Sequence, residues 1–461
     1  MSLQVIPASQ RLTFDVLWHL FGYVCLSDPL KGPVSVSRVS HLWRLVALLS
    51  PFMWCHITIR LNTSSQQHFL ASAYLKRSQN APIKVTINAT RHFKSWEKME
   101  LLQPHAHRFR SLHVKASAGS LASLLWMEMN MPMPCLEEFD TVISNTSCIS
   151  INGKIVTIDE NVNIVPPVCH LNMVHWDLWN PIGLTVLTLD TTRLWNPPDL
   201  DDIYHALATT SHTLQHFEYR GLFACTDNAE VNARTRLVFP ALRSLAVLCH
   251  DNMVPLLELM IIPALDSLSL RDFTVYPAIP AIFVPEPIDI DELTLTFDPD
   301  GLFQVIKQWT AITRLEIFGI DDLPSHHLSS PELLTYIKSL NQLTSLVLYG
   351  IGAATSIAYT LFMHDPTEEP LFPKLSCFLL GIVEMSPYDT LSQYLITRRR
   401  HQLPRLQKLS INLDYALHLC NLNCIDILCD SSDEVFIFAD PEVGNYIPIS
   451  EVKFSERLPR K

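Results

Sequence analysis

Apolar residues recur at helical spacing from the first resolved pattern in the chain. Leu12, Val16, Leu20 and Val24 make one stripe, with Leu17 and Phe21 beside it. Thr13 stands where a cap belongs, and Asp15 suits the positive end of a helix dipole. A second segment, "SVSRVSHLWRLVALLS", opens on the capping residue Ser35 and aligns Val36, Val39, Trp43 and Val46. Helices this short enclose little core, so apolar surface is left for a partner or a neighbouring domain.

Further along, the pattern changes from helical turns to short alternating runs that repeat. "FPALRSLAV" (239–247), "IPALDSLSL" (262–270), "FPKLSCFLL" (372–380) and "LPRLQKLSI" (403–411) share Pro-x-Leu followed by two more apolar positions, and "MPCLEEF" (133–139) is a fainter copy. Copies without proline are "GLTVLTL", "TLQHFEY", "ELTLTF", "AITRLEI" and "QLTSLVL". Their second apolar positions are Phe139, Leu187, Phe217, Leu245, Leu268, Leu293, Leu315, Leu346, Phe378 and Leu409. The interval from Phe139 to Leu187 is about twice the others, as if one copy were unrecognised. Such spacing fits leucine-rich repeats of one strand plus a returning helix or turn.

In Leu265-x-x-Leu268-x-Leu270 the last two leucines share a strand face, and the proline ahead of them stops the returning segment. "SPELLTYIKSL" reads as a helix capped by Ser330, with Pro331 in its first turn and Leu333, Leu334, Ile337 and Leu340 on one face. "GLFQVIKQW" does the same with Leu302, Val305, Ile306 and Trp309. A general α/β protein would also alternate strands and helices. The number of copies, the short periods and the repeated Pro-x-Leu-x-x-Leu favour an array, made irregular by the missing asparagine ladder. The fold class expected is α/β, a curved parallel sheet with outer helices.

Composition narrows the function. The chain has 461 residues, 48% of them hydrophobic, and a formal charge of -12 with 34 Lys and Arg, which disfavours a nucleic-acid partner. "RRRH" (Arg398 to His401) is expected to solvate a helix end. No secretory signal and no transmembrane window is apparent, and eleven unpaired-looking cysteines suit a reducing compartment, so a cytoplasmic or nuclear protein without a membrane partner is expected. With only 12 glycines, neither GxGxxG, GxxxxGK[ST] nor GxSxG occurs.

Other chemistry has little local support. Cys420, Cys424 and Cys429 near His418 are too widely spaced for an ordinary zinc site and read as free thiols. His105, His107, His326 and His327 read as surface histidines. Among 19 histidines and 46 acids a chance Ser/His/Asp grouping stays open. Neither catalytic residue, metal nor cofactor is expected.

The opening segment resembles an F-box. The residues that carry the likeness are Leu12-Thr13-x-Asp15-Val16-Leu17-x-x-Leu20-Phe21, then Pro29-Leu30, Val39-Ser40-x-x-Trp43-Arg44 and Met53-Trp54. Thr13, Asp15, Ser40 and Met53 replace the usual proline, glutamate, cysteine and leucine, and "KGP" lengthens the loop before Val34. An F-box followed by irregular leucine-rich repeats is similar to substrate receptors of SCF-type ubiquitin ligases, including large fungal families. The resemblance implies that Leu12, Leu17, Leu20, Phe21, Leu30, Val39 and Trp43 serve the F-box core and contact a Skp-type adaptor, and through it a cullin. Residues 1–60 carry five basic and two acidic residues, consistent with an acidic adaptor.

A substrate protein would then meet outward strand residues, among them Glu218, Ser269, Glu316, Val347, Ser410 and Asn412. Arg220, Arg271, Phe318 and Tyr349 are the first choices, since such side chains most often anchor interfaces. The organisation expected is an F-box-like domain over 1–56, a transition with the first irregular repeats over 57–130, the repeat array over 131–440 and a tail over 441–461. "VFIF", after Asp433 and Glu434, is expected to make a last strand. The alternative is a stand-alone scaffold whose first helices only cap the array.

Overall fold

Helix α1 (Phe14–Ser27) buries Leu17, Phe21 and Cys25 against α2 (Gly32–Val36) and α3 (His41–Leu48). A computed structural model describes residues 12–61, 65–89, 100–116, 133–143, 168–172, 184–190, 200–221, 235–249, 254–272, 305–320, 331–352, 357–358, 361, 371–382, 388–412, 425–438 and 446–448. The chain divides into two units, Met1–Asn196 and Pro197–Lys461, each a mixed α/β structure built on parallel strands. Among the described residues no helix is long and apolar enough to cross a membrane.

The first helices depart from the expected pattern in three ways. The core stripe of α1 is Leu17, Phe21 and Cys25, whereas Val16 and Leu20, expected inside, are 49% and 40% exposed. Apolar residues surround α1, so periodicity alone cannot choose its inner side. The second segment is two helices rather than one, and the cap is Ser40, whose Oγ accepts from Trp43 N at 3.2 Å. Finally, the supposed loop insertion Lys31-Gly32-Pro33 opens α2: a Cβ at Gly32 would lie 3.0 Å from Val24 O, so glycine lets α2 meet the end of α1.

A 3-10 turn, Pro51–Trp54, leads into β1 (His56–Arg60) and then α4 (Ser65–Arg77). Trp54 is fully buried; its Nε1 donates to Ala47 O at 2.8 Å, its ring meets Tyr74 edge-on at 5.0 Å, and Arg77 Cζ lies 4.4 Å from its centroid. Tyr74 Oη donates to Leu30 O at 2.6 Å. The helices are thus joined to the sheet of the same unit. That sheet continues in chain order through β2 (Ile83–Ala89), β3 (Phe109–Ala116), β4 (Glu138–Ile143), β5 (Val168–Asn172) and β6 (Val186–Asp190). Ile57, Val85, Leu112, Phe139, Cys169 and Leu187 are register partners across it. Strand β5 is the copy missing between Phe139 and Leu187.

The second unit repeats the arrangement with β7 (His216–Gly221), β9 (Ser244–Cys249), β11 (Ser267–Asp272), β12 (Arg314–Ile320), β13 (Ser345–Gly352), β14 (Cys377–Ile382), β15 (Leu406–Asn412) and β16 (Ser432–Phe438). Phe217, Leu245, Leu268, Leu315, Leu346, Phe378, Leu409 and Val435 form one register row and are all buried. The copy expected at Leu293 lies outside the described residues; β11 is bonded directly to β12. Strands β8 (Leu237–Val238) and β10 (Met260–Ile261) form a small separate pair. Beyond β16, β17 (Tyr446–Pro448) runs antiparallel, inside what the sequence suggested was only a tail.

In three of the five Pro-x-Leu copies the segment closes as a turn: Leu136 N, Leu242 N and Leu375 N donate to the carbonyls of Met133, Phe239 and Phe372, placing proline at the second turn position. In place of an asparagine ladder, the carbonyls of Arg243, Asp266, Thr313, Thr344 and Ser376 each accept two N–H groups from the next rung. Thr344 Oγ1 and Ser376 Oγ add bonds to the preceding carbonyls Thr313 O and Thr344 O, both at 3.1 Å.

Helices Leu200–Thr210, Val254–Glu258, Pro331–Ser339, Tyr388–Arg400 and Ile425–Ser431 belong to the same unit. Pro331 does begin its helix, with Ile337 and Leu340 buried and Leu334 half-buried; Ser330 and Leu302 lie outside the described residues. Arg398 corrects the expectation for "RRRH". It is 4% exposed and donates to the carbonyls of Phe372 and Leu375 at 2.9 Å and of Pro404 at 3.1 Å. Phe372 has φ 51°, a left-handed conformation that this bond helps to hold.

Candidate docking surfaces

Two surfaces collect the predicted residues, one in each unit. On the helices, eleven of the fifteen large apolar side chains exposed among the described residues fall within Phe14–Leu49. Val16, Leu20 and Tyr23 lie on the side of α1 opposite its core stripe, and α3 and its end present Leu45, Leu48 and Leu49. A helix apolar on both sides is stable in water only where both sides are covered.

Of the seven residues expected at an adaptor contact, Leu20 (40%), Leu30 (37%) and Val39 (54%) are exposed. Leu12 and Trp43 are half-buried. Leu17 and Phe21 are fully buried and belong to the core alone, the Phe21 ring standing 5.0 Å from Trp43. Tyr23, Leu45, Leu48 and Leu49 are exposed apolar residues that the expected stripes do not include.

In the second unit, Arg220, Leu248, Arg271, Phe318, Tyr349 and Gly381 are successive register partners. Alternation with the buried leucine row places them on the other face of the sheet. Arg271, Phe318 and Tyr349 are therefore adjacent, and Arg220 stands one rung beyond Leu248. Arg271 Cζ lies 4.2 Å from the Phe318 centroid, and that ring is 5.8 Å from Tyr349. Phe318 is only 6% exposed, so it supports Arg271 rather than offering itself to a partner as expected. Arg220 pairs with Glu218 at 2.6 Å on its own strand.

Below this row sits Glu316, 8% exposed. It accepts from Ser269 Oγ at 3.0 Å, Arg271 Nη2 at 3.4 Å and Arg314 Nε at 2.9 Å. Burial by itself would raise its pKa; the hydrogen bond and charge of Arg314, with Ser269 and Arg271, outweigh it and hold the carboxyl below the usual range.

A Ser/His/Asp grouping does occur in the first unit. Ser111 Oγ is 2.9 Å from His113 Nε2, and His113 Nδ1 is 3.0 Å from Asp140 Oδ2. Ser111, however, is 1% exposed and its hydroxyl also donates to Glu138 Oε2 at 2.9 Å. The backbone around Ser111 and His113 pairs with β2 and β4 along the rungs. With His113 protonated, the chain His113 Nε2–H to Ser111 to Glu138 satisfies every partner. The Asp140 hydrogen bond raises the His113 pKa, more than burial lowers it.

His105 meets Arg108 Nη2 at 3.3 Å, and His107 is exposed. His326, His327, His418, Cys420 and Cys424 lie outside the described residues, and Cys429 is exposed. Among the described residues no group of three His, Cys, Asp or Glu is placed to hold a metal ion. The chain matches no family model and no curated protein.

Proposed function

We propose that the chain is the substrate-recognition subunit of a cullin-RING ubiquitin ligase of the SCF type. In this reading residues 10–56 are an F-box bound to a Skp-type adaptor, and the parallel rungs are irregular leucine-rich repeats that hold a substrate protein. The observation that carries it is the second apolar side of α1, Val16, Leu20 and Tyr23, left exposed while the core side is filled. A segment serving only as a cap would turn that side inward. The protein would perform no bond-making step; it would raise the local concentration of a substrate lysine at a charged conjugating enzyme.

The test is co-purification of the full chain with a Skp-type adaptor, beside Val16→Asp/Leu20→Asp, whose positions are exposed and whose fold is checked by circular dichroism. A stoichiometric complex lost in the variant supports the reading. The Trp54 joint with Tyr74 and Arg77 favours the second reading, a stand-alone scaffold capped by these helices. Failure of the folded wild type to bind adaptor selects it.

A further inference from the structure

We propose that α4 extends the surface offered by the N-terminal helices, and that Phe69, Leu70 and Lys76 meet the same partner, an acidic protein with apolar contact residues: the Skp-type adaptor. The inference rests on the receptor reading above and says how far along the chain the adaptor contact reaches.

The core side of α4 carries Ala71, Tyr74 and Leu75, all buried. Phe69 stands on the opposite side of the helix and is 72% exposed, and Leu70, on the flank, is 44% exposed. Lys76 lies two turns beyond Phe69 on the same side and is exposed. Leu70 is one turn before Tyr74, whose Oη donates to Leu30 O at 2.6 Å. The exposed apolar residues of α4 therefore border the loop that carries Leu30, itself exposed. Among the described residues of the first unit, every exposed large apolar side chain falls within Phe14–Leu70, and none is on strands β1 to β6. The exposed apolar surface of this unit thus belongs to its helices and their connections, α4 included.

Charge points to the same partner. Residues 1–89 hold eight basic and two acidic residues, a local +6 in a chain of -12, and the three charged residues between 61 and 89, Lys76, Arg77 and Lys84, are all basic. An acidic protein is attracted to this stretch and repelled by the rest of the chain, whereas a basic one would be steered the other way. A second copy of this chain would set the same positive helices against each other, because a closed pair uses one patch twice.

The experiment measures the affinity and association rate of a purified Skp-type adaptor for the full chain at low and high salt. It is repeated with Phe69→Ser/Leu70→Ser, with Lys76→Glu, and with Val238→Ser/Ile261→Ser, an exposed apolar pair of the second unit that serves as control. Circular dichroism and light scattering accompany each protein. Phe69→Ser/Leu70→Ser should lose about tenfold in affinity. Lys76→Glu should slow association and weaken its salt dependence, and the control should bind as the wild type does. Unchanged affinity in the first variant, unchanged association in the second, or an equal loss in the control overturns the inference while the receptor reading stands. A wild-type dimer that only Phe69→Ser/Leu70→Ser separates assigns the surface to a second copy and overturns it too. Absence of binding by the folded wild type sinks the receptor reading itself, and this inference with it.

Discussion

His113 of β3 and Asp140 of β4 are register partners, with Nδ1 and Oδ2 3.0 Å apart, so one histidine bridges two rungs of the first unit. Its folded pKa is raised above 6.5 through that bond, with burial and Lys84 opposing and Glu138 assisting. The bridge therefore adds stability fully below about pH 6.5 and loses it as pH rises through the folded pKa. Exposure of 36% and 30% lets solvent screen the pair and keeps the effect small. Asp140→Asn should move the His113 titration, read by NMR, downward; an unchanged midpoint would show the bond to be without effect.

Adjacent residues of α1 should behave oppositely. Phe21→Ala removes a fully buried ring and should cost about 3–5 kcal/mol in urea unfolding. Leu20→Asp, at an exposed site, should stay within about 0.5 kcal/mol. Equal losses would mean that the second side of α1 is covered within the chain.

At the joint between helices and sheet, Trp54→Phe keeps a ring but leaves Ala47 O without its indole donor. Because Ala47 O keeps the Ser50 N–H at 3.2 Å, a loss of about 1 kcal/mol is expected from chemical denaturation, and none at all would show the indole bond to contribute nothing.

Neighbouring arginines in the basic run should likewise separate. Arg398→Met takes the side-chain donor from three carbonyls, of which Phe372 O keeps the Leu375 N–H, and should cost roughly 3 kcal/mol. Arg399→Gln breaks a pair with Asp430 whose side chains are 69% and 61% exposed, and should change unfolding by less than about 0.5 kcal/mol. Similar shifts for both would contradict the burial of Arg398.

The sequence by itself determined the rungs. Leu265, Leu268 and Leu270, like Phe378 and Leu409, are apolar at strand spacing because the leucine row must be buried whatever else the chain does, and strand alternation then put Arg271, Phe318 and Tyr349 on the opposite face. "VFIF" was legible as a strand for the same reason. Register, inner side and coverage were decided by tertiary structure. Cys169 carries too weak an apolar signal to mark β5 before its neighbours align it. The helical period of α1 fits Leu17 and Phe21 as well as Val16 and Leu20, and only packing against α2 and α3 chose between them. Ser111 and His113 are two residues apart in the chain, but Glu138 and Asp140 join them only because β3 and β4 pair in parallel. Local spacing fixes which residues share a face; which residues meet across strands is set by long-range pairing that no short stretch of sequence contains.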